Sequence, residues 1–166
     1  MLRRIERLHG GTHPMRVITS VILPKPPEEV WPLLCSSRMD PNIPCLFRLG
    51  IPKPVECRLP DGRGGVGERR QCISDRGMIN QRITHWESPS LLRFQMEDTT
   101  LYFRPCVNSI TEEFRLLPGP HSTTQITRTT TIQVTGFAKG IKGLIMCLGM
   151  KFVHRYVFTN WSRLLA

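Results

Sequence analysis

Three residues in this chain combine acid–base or carbonyl chemistry with a position in a regularly alternating segment: His85, Glu112 and Arg128. Histidine is the default general base at neutral pH. A guanidinium beside a carboxylate can polarise a carbonyl or hold a polar head group. In residues 78–86, alternation puts His85 on one face with Gln81 and Ile83. In residues 107–117, Ile110, Glu112, Phe114 and Leu116 share a face, and in residues 122–134 so do Ile126, Arg128, Thr130, Ile132 and Val134. If the Pro118-Gly119-Pro120 turn sets the register, Glu112 lies close to opposite Arg128. An unpaired buried charge costs several kcal/mol, which leaves three readings. The pair orients a ligand, or is a structural ion pair, or a register slip puts both groups on the surface.

Other groups of chemical interest are less convincing. Gly62, Gly64 and Gly67 spell G-x-G-x-x-G, which in a dinucleotide site joins a strand to a helix. The residues that follow, Glu68 to Ile73, carry no helical apolar stripe, so the loop reads as a link between two strands, with glycine supplying positive φ. The six cysteines (35, 45, 57, 72, 106 and 147) contain no C-x-x-C. The histidines at 9, 13, 85, 121 and 154 form no H-E-x-x-H. Neither a metal nor a cofactor is expected. The first residues lack an apolar signal core, so the expected setting is a reducing cytoplasm with free thiols.

The 166 residues are 40% hydrophobic and 22% charged, a balance that argues against disorder and against a polytopic membrane protein. Lys and Arg number 23 against 13 acids, for a net charge of +10. Such a surplus attracts nucleic acid, anionic lipid or acidic ligands. The cations are scattered, however, and the few aromatics do not alternate with them as in an RNA-binding strand. Specific nucleic-acid binding is not expected.

The elements that must position these residues follow from periodicity. Residues 1–14 read as a flexible basic extension and residues 15–166 as the folded domain. Residues 16–23 form a β-branched run, then Pro26, Pro27, Glu28 and Glu29 open a short helix. A second short helix is expected within 40–49. Strand-like runs then follow at 55–59, 66–74, 78–86, 91–96, 107–117 and 122–134, separated by turn residues, which implies an antiparallel meander. Residues 137–165 repeat apolar residues at helical spacing, with Ile141, Leu144, Leu148 and Phe152 on one stripe and Met146, Met150, Val153, Val157, Trp161 and Leu164 on a second. Two adjoining stripes predict a broad buried face. Lys142, Lys151, His154 and Arg155 interrupt the run, so no transmembrane segment is expected. Residues 146–161 are apolar enough to permit a homodimer face as well.

This order resembles the START-like (SRPBCC) superfamily, which includes polyketide cyclase/dehydratase-like proteins. The resemblance is carried by PKPPEEVW (residues 24–31), GGVGERRQC (64–72), RITHWESPSLLRF (82–94), EFRLLPGPHSTTQIT (113–127) and the closing helix. It covers nearly the whole chain after Met15, although residues 99–108 depart from the pattern. It implies an α+β helix-grip fold: a curved antiparallel sheet of about seven strands wrapped around a long C-terminal helix, with two short helices after the first strand. It also implies a cavity between sheet and helix for a small hydrophobic ligand such as a lipid, sterol or polyketide. The alternatives are a cyclase- or dehydratase-type enzyme in the same cavity, for which His85, Glu112 and Arg128 are the catalytic candidates, or a basic module docking on anionic lipid or nucleic acid. Cavity-facing candidates are Gln81, Ile83, His85, Phe94, Met96, Ile110, Glu112, Phe114, Arg128, Thr130, Met146, Met150 and His154. For most of these, plain core packing is the competing reading.

Overall fold

In the computed structural model, residues 14–136 and 138–166 are described; the expected basic extension, apart from Pro14, and Phe137 lie outside them. The β-branched run forms β1 (Met15–Leu23) and the proline- and acid-led segment forms α1 (Pro27–Cys35), with Pro26 as its N-cap. The two-residue strand β2 (Ser37–Arg38) follows, then a 3-10 helix at Cys45–Leu49. The expected second short helix is thus a single 3-10 segment. Pro41 and Pro44 lack the amide hydrogens that a longer α-helix needs, and the turn starts only after Pro44.

The meander comprises β3 (Pro54–Arg58), β4 (Arg69–Ser74), β5 (Gly77–Glu87), β6 (Leu91–Thr99), β7 (Val107–Pro118) and β8 (Thr124–Val134). All eight strands join one antiparallel sheet in the order β1-β8-β7-β6-β5-β4-β3-β2. The count exceeds the expected seven because β2 is too short to show an alternation. Only β1 leaves the meander, crossing to pair with β8. The glycine-rich segment links β3 to β4, and Gly62 and Gly67 have positive φ. Gly64 serves a different end: a Cβ there would lie 2.1 Å from the Trp86 indole, so the ring packs on bare backbone. Trp86 in turn meets Trp31 of α1 edge-on at 5.1 Å.

Helix α2 (Lys139–Leu165) lies against β1 and β8. Its C-terminal half completes the main core, where Val157, Phe158 and Trp161 are buried with Leu23, Leu34, Ile83, Leu92, Phe94 and Phe114. At Gly143 a side chain would strike Met15, so the helix approaches β1 as closely as glycine allows. The expectation of a broad buried face along all of α2 is corrected. Ile141, Leu144, Ile145 and Leu148 are 59–67% exposed. In this half the inward edge is covered: Gly143 and Cys147 meet Met15 of β1, while Met146 and Met150 face a gap between helix and sheet.

Candidate functional site

That gap is a cavity of about 300 Å³. Its walls come from Ile51, Pro52 and Pro54, from β4 and β5 (Ile73, Ile79), from the segment after β6 (Leu101, Tyr102, Phe103) and from α2 (Ile145, Met146, Met150, Val153). This is the low end of the range for small-molecule sites, about 300–1,000 Å³. The polar exceptions gather on the sheet side: Gln81, Glu112 and Arg128, with Cys72 beside them. Lys142 also lines the space, from the helix.

Register explains how these groups meet. Glu112 is paired directly with Thr130, and Arg128 with Phe114. The two charges are therefore diagonal neighbours, and the long guanidinium reaches back to the carboxylate. Arg128 Nε and Nη2 donate to Glu112 Oε2 at 3.0 and 2.6 Å, both residues are buried, and Arg128 lies 5.2 Å from the Phe114 ring centre. The register-slip reading is thus excluded. Three strands along the sheet from Glu112, on β4, Arg70 is only 2% exposed. It donates to Gln81 Oε1 at 2.6 Å, to the Leu34 carbonyl at 3.1 Å and to Cys72 Sγ at 3.4 Å, and stacks 4.4 Å above Phe94. Burial opposes its charge, but the Cys57 and Cys72 sulfurs and the Glu112 carboxylate outweigh that and hold it protonated.

Cys57 and Cys72 face each other across β3 and β4. The Cys57 hydrogen bond and the Arg70 guanidinium hold the Cys72 thiol below the ordinary thiol range, against the effect of burial. The Cys57 thiol, donor in that bond and itself buried, is pushed well up. Cys72, Arg70 and the wall residues around Leu101 to Phe103 were not expected at the site. Arg70 follows a loop without a clear strand start, and residues 99–106 carry no periodicity.

The other expected residues are placed as follows. Gln81, Met146 and Met150 line the cavity. Ile83, Phe94 and Phe114 are sealed in the main core, and Ile110 lies in a smaller cluster with Val107, Ile132 and Val134, against which Met96 packs. His85 is displaced by a register shift between Ile83 and His85, which returns the next inward position to Trp86. The His85 side chain is 45% exposed, 3.6 Å from Glu87, and does not line the cavity. Thr130 and His154 are wholly buried and bonded to each other at 2.8 Å, while His154 Nδ1 meets Thr19 Oγ1 at 3.1 Å. Burial, helped by the Arg128 charge, pushes His154 down to about 2, so the ring is neutral. Among the described residues, no three His, Cys, Asp or Glu side chains gather as a metal site would require, and no helix is long and apolar enough to cross a membrane.

An eight-stranded curled antiparallel sheet holding a C-terminal helix over a cavity is the START-like helix-grip fold. Solved structures share it. A START superfamily protein from Mycobacterium smegmatis superposes with a TM-score of 0.51 at 11% identity, covering 85% of this chain and 96% of that one. A Nitrosospira multiformis protein gives 0.61 at 15% identity over 92% and 97%. A Thermus thermophilus protein gives 0.62 at 14% identity over 90% and 95%. No family model and no curated protein sequence matches the chain.

Proposed function

We propose that this protein binds a small, mostly apolar molecule of lipid, sterol or polyketide type between its sheet and α2, with a polar end toward Gln81, Glu112 and Arg128. The observation that carries this reading is an apolar-walled space of about 300 Å³ that ends on a buried polar cluster. Each 100 Å² of apolar ligand surface buried there is worth about 2.5 kcal/mol. A cyclase- or dehydratase-type activity in the same cavity would have to work through Glu112 and Arg128, which already bond each other, and we do not favour it. A ligand present at 100 times its Kd stabilises by about 2.7 kcal/mol, which for a domain of this size raises Tm by about 5–10 °C. Thermal melts with a panel of fatty acids, sterols and aromatic polyketide mimics should show such a rise, and Met150→Trp, which fills the space, should remove it. If no member of the panel shifts the melt, the binding reading fails.

A second reading concerns the outer face of α2. Ile141, Leu144, Ile145 and Leu148 recur at helical spacing yet are exposed, and an apolar patch of this kind marks an interaction site. No Asp or Glu occurs after Glu113, whereas Lys139, Lys142, Lys151 and Arg155 flank the stripe. Apolar residues flanked by cations suit an anionic bilayer surface. Ile145 and Lys142 also line the cavity, so docking there would set its mouth against the lipid. The protein is expected to sediment with phosphatidylglycerol-containing vesicles and not with pure phosphatidylcholine, and Leu144→Ser with Leu148→Ser should abolish this. Sedimentation equilibrium giving a dimer that the same two substitutions dissociate would assign the stripe to a second copy instead.

A further inference from the structure

The charges around the cavity do not cancel. Arg70 and Arg128 are both buried, and Glu112 is the single buried carboxylate beside them. Both Arg128 bonds go to Glu112 Oε2. Among the described residues no carboxylate lies within ion-pair distance of Arg70, whose partners are a carbonyl, an amide oxygen, a thiol and an aromatic face. The cluster therefore carries one positive charge in excess, and Lys142 adds another from the opposite wall. A buried charge without a counter-charge is costly, and two residues that touch Arg70, Gln81 and Cys72, form part of the cavity wall. Gln81 gives its oxygen to Arg70, which leaves its amide N–H groups without a protein acceptor among the described residues.

We infer that the polar end of the ligand is an anion, a carboxylate on an apolar body, which supplies the negative charge that the Arg70–Glu112–Arg128 cluster lacks. This rests on the binding reading above and narrows it to hydrophobic acids. The carboxylate takes hydrogen bonds from the Gln81 amide and lies within the field of Arg70, where low polarity strengthens the attraction. An alcohol or ester with the same body fills the same space and leaves the cluster cationic. Cys72 Sγ accepts a hydrogen bond from Arg70, and the Cys57 hydrogen bond together with that guanidinium holds the Cys72 thiol below its ordinary range. A carboxylate beside Arg70 offsets the positive field that favours the thiolate form of Cys72, so binding of the acid shifts the Cys72 titration upward.

The test uses the wild-type full chain and three probes with one apolar body: decanoic acid, decanol and methyl decanoate, titrated calorimetrically at pH 7.5. The acid is expected to bind at least 10-fold more tightly than either neutral probe. Arg70→Met, checked for folding by its melt, should erase the difference, while Arg70→Lys should keep most of it. Peptide-resolved alkylation by iodoacetamide against pH gives a readout that needs no variant. Decanoic acid should move the Cys72 titration to higher pH, and decanol should slow the reaction without moving the midpoint. Equal affinity of the three probes, or an unmoved midpoint with the acid bound, overturns the anionic-head inference and leaves the cavity reading standing. Failure of all three to bind, together with a flat response to the wider panel, overturns both.

Discussion

Glu112→Ala is expected to destabilise the fold by about 3–5 kcal/mol, the usual loss when one member of a buried ion pair is removed. The variant leaves the Arg128 guanidinium buried and bonded to nothing ionic. Arg128→Ala should cost a similar amount, for the mirror reason. Glu112→Leu combined with Arg128→Met should recover most of either loss, since a packed apolar pair of similar volume often matches a buried ion pair. The cycle also separates the two remaining accounts of the pair. A purely structural pair gives a double variant that folds well and keeps its ligand affinity, whereas a pair that holds the ligand gives one that folds well and binds poorly. Urea denaturation of the four proteins measures the first quantity. Single variants within about 1 kcal/mol of wild type would mean that water reaches the pair and that the floor of the cavity is wet.

Acid should unfold the protein earlier than its carboxylates alone would require, through His154. The folded ring takes up a proton only near pH 2, whereas in the unfolded chain it does so near pH 6.5. Between those values the unfolded state binds one proton more than the folded state, so stability falls as pH falls. Each pH unit below about 6.5 costs about 1.4 kcal/mol, or about 2.7 kcal/mol by pH 4.5. Comparison with a His154 variant separates this slope from that of the carboxylates. In His154→Gln, where an amide can still reach Thr19 and Thr130, the loss between pH 6.5 and 4.5 should shrink to a small fraction. A wild-type profile that is flat over this interval, or one that the substitution leaves unchanged, would show that the ring is reached by water.

Much of the architecture was legible in the residues. Prolines and acids ahead of Val30 and Trp31 start α1, and paired turn residues separate runs of β-branched character; these are local effects that each segment carries with it. The resemblance in block order then supplied the arrangement of sheet and helix. The site was less legible. Alternation put Glu112 and Arg128 on inward faces, and they do face inward, because β7 and β8 run without a bulge through both positions. The same rule failed for His85, because a register shift between Ile83 and His85 intervenes, and nothing in residues 82–87 signals it. Helical spacing likewise grouped Leu144 and Leu148 with buried residues. Periodicity reports which residues share a face and is silent on whether anything covers that face.

What the chain determined by itself is the identity of its elements and the sidedness of its regular strands, since both depend on backbone geometry and near neighbours. The tertiary structure decided which inward residues meet empty space and which meet each other. It brought Arg70 beside Gln81 and Cys72, buried His154 between two threonines and left the outer face of the first half of α2 uncovered. These outcomes depend on distances between segments up to 135 residues apart in sequence, and no local rule of spacing reaches that far.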